Sequence, residues 1–306
     1  LLQSHDSYPA QSSRFGLSVA LTTAFDENNK IDIPRTLDHA KNCLAAGCNS
    51  VTLFGTTGEG ASIAVCERGV VLDNFIAGGI QPSQIIIGVM ESAATAAAWQ
   101  ITGALRRGCK AVMLAPPFYY KNLSEDGLFA WFKSVFEQVG NDLRDIILYN
   151  IPAVTAVELS LSLVDRLRTT FGAAILGVKD SSGNWEYTQQ LLAAHKDCAI
   201  LIGDEHHLAH GVRLGGQGAI SGMANLCATR LLPLVEQGRD DLGLNEAIDQ
   251  MSPHSITPAI KTVLAHIRRD KIWMRMRPPL DTLSPDQFTT LAQIYDKILS
   301  PQAKGS

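Results

Sequence analysis

The chain has 306 residues, 46% of them hydrophobic and 18% charged, with a formal charge of −4 at neutral pH. Such a composition fills a large core, and the slight acidic excess, with lysines and arginines scattered, excludes the basic surface that nucleic acid or anionic lipid requires. No apolar run approaches the ~20 residues of a membrane span, and Leu1 to Asp6 lack the charged-then-apolar layout of a signal peptide, so a cytoplasmic protein acting on small molecules is expected.

In chain order, residues 1–14 read as an N-terminal extension. The apolar run 15–23 predicts a first strand, and the spacing of Ile33, Leu37, Ala40 and Cys43 predicts a helix over 34–46. Strands follow at 50–55, 85–90 and 111–115. A helix at 124–139 carries Leu128, Trp131, Phe132 and Val135 on one face, and further strands are predicted at 145–150, 175–180, 199–203 and 218–222. Near-continuous apolar strands alternating with helices imply parallel pairing with both faces covered, and eight is the number that closes a (β/α)8 TIM barrel. An open doubly wound sheet would place a Gly-rich turn after its first strand, where Leu21 to Asp26 has no glycine. Past residue 228 the strand signal stops, and helices are predicted near 229–250, 257–268 and 285–299. Ser252-Pro253, Thr257-Pro258 and Ser284-Pro285 read as starts, and Arg277-Pro278-Pro279 as an interruption. The expected organisation is a barrel over 15–228, a C-terminal helical subdomain over 229–300 and a tail over 301–306. Six dispersed cysteines without a C-x-x-C pair predict reduced thiols rather than disulfides or a zinc site.

Barrel enzymes hold their chemistry at the carboxyl ends of strands, and the unusual polar residues of this chain fall there. After strand two, Gly55-Thr56-Thr57-Gly58-Glu59-Gly60 sets two hydroxyls in a tight turn suited to a carboxylate; a plain Gly-Thr turn reads the same way. Strand five ends in Tyr149-Asn150-Ile151-Pro152, where a tyrosine can relay a proton to a substrate oxygen or simply pack. Near the end of strand six, Lys179 interrupts an apolar run. Burial disfavours the ammonium and lowers its pKa from ~10.4, giving an amine that attacks carbonyl carbon to form a Schiff base. The alternative is an edge lysine with a buried stem and a hydrated head. Asp180, one residue on, is expected to point away. An amine, a phenol and a hydroxyl pair meeting at one barrel mouth supply what a Schiff-base enzyme acting on a 2-oxo acid requires.

These motifs resemble those of the dihydrodipicolinate synthase and N-acetylneuraminate lyase family of class I aldolases. G-[ST]-T-G-E stands at Gly55 to Glu59, Y-N-x-P at Tyr149 to Pro152 and G-x-K-[DE]-S-[ST] at Gly177 to Ser182. The likeness extends to Ala115 to Tyr120, Gly218 to Gly222 and Arg277 to Leu280. It implies that Lys179 forms the imine without other cofactor or metal and that Tyr149 relays protons. Gly55, Thr56 and Thr57 would hold the carboxylate of pyruvate or a related 2-oxo acid, with Thr57 also in the catalytic group, and the backbone around Ile220 would close that pocket. Tyr119 would support a neighbouring subunit's site in a dimer or tetramer, and Glu59 would hold its own loop.

The resemblance fails in the distal pocket. Members that make dihydrodipicolinate carry an arginine two residues beyond the proline of Y-N-x-P, where this chain has Val154; losing such a partner costs roughly 1.5–3 kcal/mol per charged hydrogen bond. The polar trio of the sialic-acid branch is kept only in part, its nearest positions being Glu205, His206 and Gly222. The substrate expected is a 2-keto-3-deoxy sugar acid undergoing aldol cleavage or condensation, with the synthase reaction, dehydration and deamination as alternatives. His206 and His210 share a helix face, but an iminium already serves as the electron sink that a metal would provide, so a helix start capped by Asp204 is the expected reading. A metal-dependent lyase and a catalytically silent barrel are the rivals from other classes.

Overall fold

The computed structural model describes residues 14–301, so the expected extension and tail lie almost wholly outside the described residues. All eight expected strands form: β1 Gly16–Ala20, β2 Ser50–Leu53, β3 Ile85–Val89, β4 Ala111–Leu114, β5 Ile146–Asn150, β6 Ile175–Asp180, β7 Ala199–Ile202 and β8 Gly218–Ser221. They pair in sequence order, each pair parallel, and β8 returns to β1 to close the barrel. Helices α1 Ile33–Ala45, α2 Val65–Ala77, α3 Ala94–Arg106 and α4 Glu125–Val139 follow the first four strands. The short α5 Pro152–Thr155 and then α6 Leu161–Phe171 follow β5, while α7 Trp185–Ala194, α8 Glu205–Arg213 and α9 Ala224–Gln237 follow the last three. Side-chain caps start many of these helices: Asp32, Ser124, Ser160, Asn184 and Asp204 each accept a backbone N–H from the first turn.

The helical region continues as α10 Leu242–Met251, α11 Ile256–Arg268 and α12 Pro285–Ile294, with a π turn at Tyr295–Leu299. The single stretch expected at 229–250 is two helices. Gly238, at φ +61, ends α9 in the left-handed conformation that glycine adopts without penalty, and the Asp241 carboxylate restarts the chain by accepting from Leu244 N at 3.0 Å. Ser252-Pro253 is likewise not a start: Ser252 N–H bonds back to Ile248 O and closes α10, and α11 begins after Ser255. Among the described residues no helix is long and apolar enough to cross a membrane. All six cysteines are free, and burial pushes the Cys43, Cys48 and Cys227 thiols up to about 12, which leaves them unreactive.

Strand alternation divides the core in two. Ala20, Ile86, Met113, Ile147, Tyr149, Leu201 and Ile220 fill the barrel interior, while Val19, Val51, Ile85, Val112, Leu148, Val178 and Ile200 pack outward beneath the helices. The β5–β6 register shifts between Ile146 and Ile147, after which Ile147 opposes Gly177 and Tyr149 opposes Lys179. Closure at the β8–β1 seam depends on Gly218, whose φ is +142 and where a Cβ would lie 2.0 Å from Gly16 O. Gly218→Ala is therefore expected to cost more than about 3 kcal/mol by combined strain and clash, measured by urea unfolding. A loss within experimental error would mean that the seam has slack the geometry does not show.

Candidate active site

Lys179 is buried, with 6% of its surface exposed, and faces the barrel interior because its register partners Tyr149 and Leu201 do. Its Nζ lies 4.3 Å from the centroid of the Tyr149 ring, a cation–π distance. The Tyr149 hydroxyl in turn lies 3.4 Å from Thr56 Oγ1, so strands β6, β5 and β2 deliver an unbroken line from amine to phenol to hydroxyl. Thr57 is buried beside Gly222, where an added Cβ would meet its Oγ1 at 3.1 Å, and Ile220 packs in the same interior cluster as Tyr149. Asp180 turns to the other side, accepting from Asn150 Nδ2 at 3.0 Å and from Thr188 Oγ1 at 2.6 Å.

Glu205 is the first residue of α8, the helix that follows β7, and it contacts the end of β8. Its Oε1 accepts from Ser221 Oγ at 2.5 Å. Burial raises its pKa above the ordinary carboxylate range, with the Ser221 hydrogen bond and the positive charge of Lys179 opposing the rise.

The hydroxyl loop is a strained turn held from several sides. Phe54 (φ 61) and Glu59 (φ 57) occupy the left-handed region, which costs non-glycine residues energy. Gly60 passes so close to Phe54 that a Cβ would fall 1.8 Å from its carbonyl oxygen. Arg68, buried on α2, donates to Gly60 O at 2.6 Å, to Gly88 O at 3.2 Å and to Gln100 Oε1 at 2.5 Å. Burial lowers the Arg68 pKa, and Glu91, reached through Gln100, opposes that. On the opposite side Glu59 pairs with Lys261 at 2.5 Å, both side chains being wholly buried, and burial pushes the Lys261 ammonium down to about 8 against the pull of Glu59.

Other residues singled out in the sequence stand apart. Val154, on α5, is 62% exposed, and Tyr119 is 73% exposed with its ring edge-to-face against Tyr120. His206 is committed to Asp204 and Asp249, while His207 and His210 lie against the Trp185 ring. Among the described residues no three His, Cys, Asp or Glu side chains gather as a metal site would require. Sequence reasoning missed Arg68, Ser221, Lys261 and Asn225. Asn225 donates to Ala20 O at 2.8 Å and Gly222 O at 2.7 Å and accepts from Thr22 N at 3.1 Å, so it joins the ends of β1 and β8. The buried His39 ring completes this set at 3.1 Å from Asn225 Oδ1.

Polar groups converging at the carboxyl ends of closed barrel strands mark a (β/α)8-barrel enzyme. The sequence profile of the dihydrodipicolinate synthetase family matches residues 14–298, nearly the whole described chain. A dihydrodipicolinate synthase of Agrobacterium tumefaciens, known as a crystal structure, is 48% identical over 94% of this chain and all of its own, with a TM-score of 0.92. A 4-hydroxy-tetrahydrodipicolinate synthase of Pseudomonas savastanoi is 32% identical over 71% of this chain and 72% of its own. An uncharacterized DapA-like lyase of Chloroflexus aurantiacus is 28% identical over 93% and 96%. N-acetylneuraminate lyase of Fusobacterium nucleatum, at 21% identity over 94% and 99% with a TM-score of 0.79, shares the fold. The chain belongs to the dihydrodipicolinate synthetase family and is a lyase of that family.

Burial pushes the His39 imidazole down to about 4 from an ordinary 6.5, its hydrogen bond to Asn225 opposing in part. Between those values the unfolded chain binds the proton and the folded chain does not. Stability fully present above pH 6.5 therefore falls as pH drops toward 4, by up to about 3 kcal/mol. Urea midpoints at pH 7 and pH 4.5 should separate more in the native protein than in His39→Gln; equal separations would contradict the assignment.

Proposed function

We propose that this lyase forms a Schiff base between Lys179 and a 2-oxo acid, pyruvate being the simplest, and cleaves or forms a carbon–carbon bond on that intermediate. The observation that carries the reading is the contact line from Lys179 Nζ across the Tyr149 ring to Thr56 Oγ1. The amine adds to the C2 ketone, the carbinolamine loses water, and the resulting iminium draws electrons from the breaking C3–C4 bond of the substrate. The aldehyde departs, the enamine is protonated at C3, and hydrolysis frees the 2-oxo acid and the amine. Tyr149 carries protons to and from the C2 oxygen and the departing oxygen in this reading. Gly55, Thr56 and Thr57 orient the carboxylate so that C2 faces the amine. No cofactor besides the lysine itself is invoked, and the protein is read as cytoplasmic.

Glu205 and Val154 favour a 2-keto-3-deoxy sugar acid as the longer substrate. Glu205, buried and hydrogen-bonded to Ser221, suits hydroxyl groups, and Val154 stands where the synthase pattern calls for a carboxylate-binding arginine. A second reading, the dihydrodipicolinate synthase reaction, is favoured by the names of the Agrobacterium and Pseudomonas relatives. The exposed Tyr119 fits a subunit that lends this ring to a neighbour's mouth, as a dimer or tetramer would allow.

Borohydride added to protein and pyruvate should leave a stable mass gain confined to Lys179, and an active but unlabelled protein would sink the Schiff base. Lys179→Ala is expected to abolish turnover. Tyr149→Phe is expected to lower kcat by about 10²- to 10⁴-fold, and a near-native rate would remove Tyr149 from proton transfer. Release of pyruvate from a panel of 3-deoxy-2-oxo sugar acids, set against consumption of aspartate semialdehyde, decides between the two substrate readings.

A further inference from the structure

The helical region beyond the barrel reaches the hydroxyl loop through a buried charge and two further hydrogen bonds. Lys261, on α11, is wholly buried; its ammonium lies 2.5 Å from Glu59 Oε1 and 2.8 Å from Thr23 O, with the Phe25 ring centroid at 4.6 Å. The other Glu59 oxygen accepts the Arg277 backbone N–H at 2.9 Å, so both carboxylate oxygens are taken by groups from beyond the barrel. One turn earlier on α11, Thr257 Oγ1 lies 3.3 Å from Thr56 O, to which it donates. The helix thus grips the loop at Thr56 and at Glu59, and Thr57 lies between the two grips. An ion pair stripped of water is a poor source of stability compared with apolar packing, but it fixes geometry that apolar contacts leave loose. Glu59 itself is held in the left-handed conformation between two glycines, a backbone that relaxes if its side chain is released.

We propose that Lys261 is a positioning residue for substrate: through Glu59 it fixes the Thr56–Thr57 turn in the geometry that receives the 2-oxo acid carboxylate. Lys261 acts on affinity for the carboxylate and not on the chemistry at C2. The proposal rests on the reading of that turn as the carboxylate site.

Lys261→Met leaves Glu59 buried without its partner, so the decisive variant is Glu59→Gln with Lys261→Met, which removes both charges together. Thr257→Val, which removes one hydroxyl and no charge, is the milder companion if the double variant does not fold. The first measurement is borohydride labelling as a function of pyruvate, separating the half-saturating concentration from the maximal rate. The second is deuterium exchange of residues 55–60 compared with β4 and β5. The double variant is expected to raise half-saturation about ten-fold or more while the maximal labelling rate stays within about three-fold. Exchange in the loop quickens and that of the strands does not; Thr257→Val moves both in the same direction by less. Unchanged half-saturation, or a matching collapse of maximal rate and strand protection, overturns the positioning role. If the native protein is never labelled, the Schiff-base reading is the one that falls. Affinity is then read from the protection pyruvate gives the loop, and equal protection in native and variant proteins overturns the role of Lys261.

Discussion

In a parallel sheet, residues paired across two strands present their side chains to the same face, so the pairing of Tyr149 with Lys179 places a phenol ring and an amine together inside the barrel. A slip of one position in either strand would turn that strand's residue toward the helices, where Asp180 and Asn150 now bond to each other. The register shift between Ile146 and Ile147 sets that pairing, and Gly177 lets β6 come close to β7, since a Cβ there would fall 2.2 Å from Ala199 O. Every later element of the mouth is arranged around a pair whose position is decided by backbone hydrogen bonds.

The eight strands were legible because an apolar, β-branched run flanked by helical periodicity is a local signal, and eight of them leave little choice of architecture. The residues of the mouth were legible for a related reason: Gly55 to Glu59, Tyr149 to Pro152 and Gly177 to Ser182 are contiguous, and each falls at a strand end. The helical region was read less well. Its apolar spacing continues through 229–250, and only the left-handed turn at Gly238 and the cap at Asp241 reveal the break.

Of what supports the mouth, only the loop-holding role of Glu59 was expected; its partners were not legible. Glu59 and Lys261 are separated by 202 positions, and Asn225 reaches Ala20 across 205. A lone lysine on an amphipathic helix reads as a solvated side chain, and a lone asparagine after a strand reads as a turn former. Arg68, in the first turns of α2, carries the same ambiguity, since nothing local says that its guanidinium will spend its donors on the carbonyls of Gly60 and Gly88. Each becomes informative only once distant segments are brought together.

The reach of α11 into the hydroxyl loop bears on where this protein can be divided. A fragment ending soon after β8 would keep all eight strands and both Tyr149 and Lys179, but it would strand the Glu59 carboxylate in an apolar interior without a counter-ion. A fragment limited to the barrel therefore lacks the counter-ion of its own loop, and transplanting the loop sequence alone into another barrel would transfer the hydroxyls without Thr257 and Lys261.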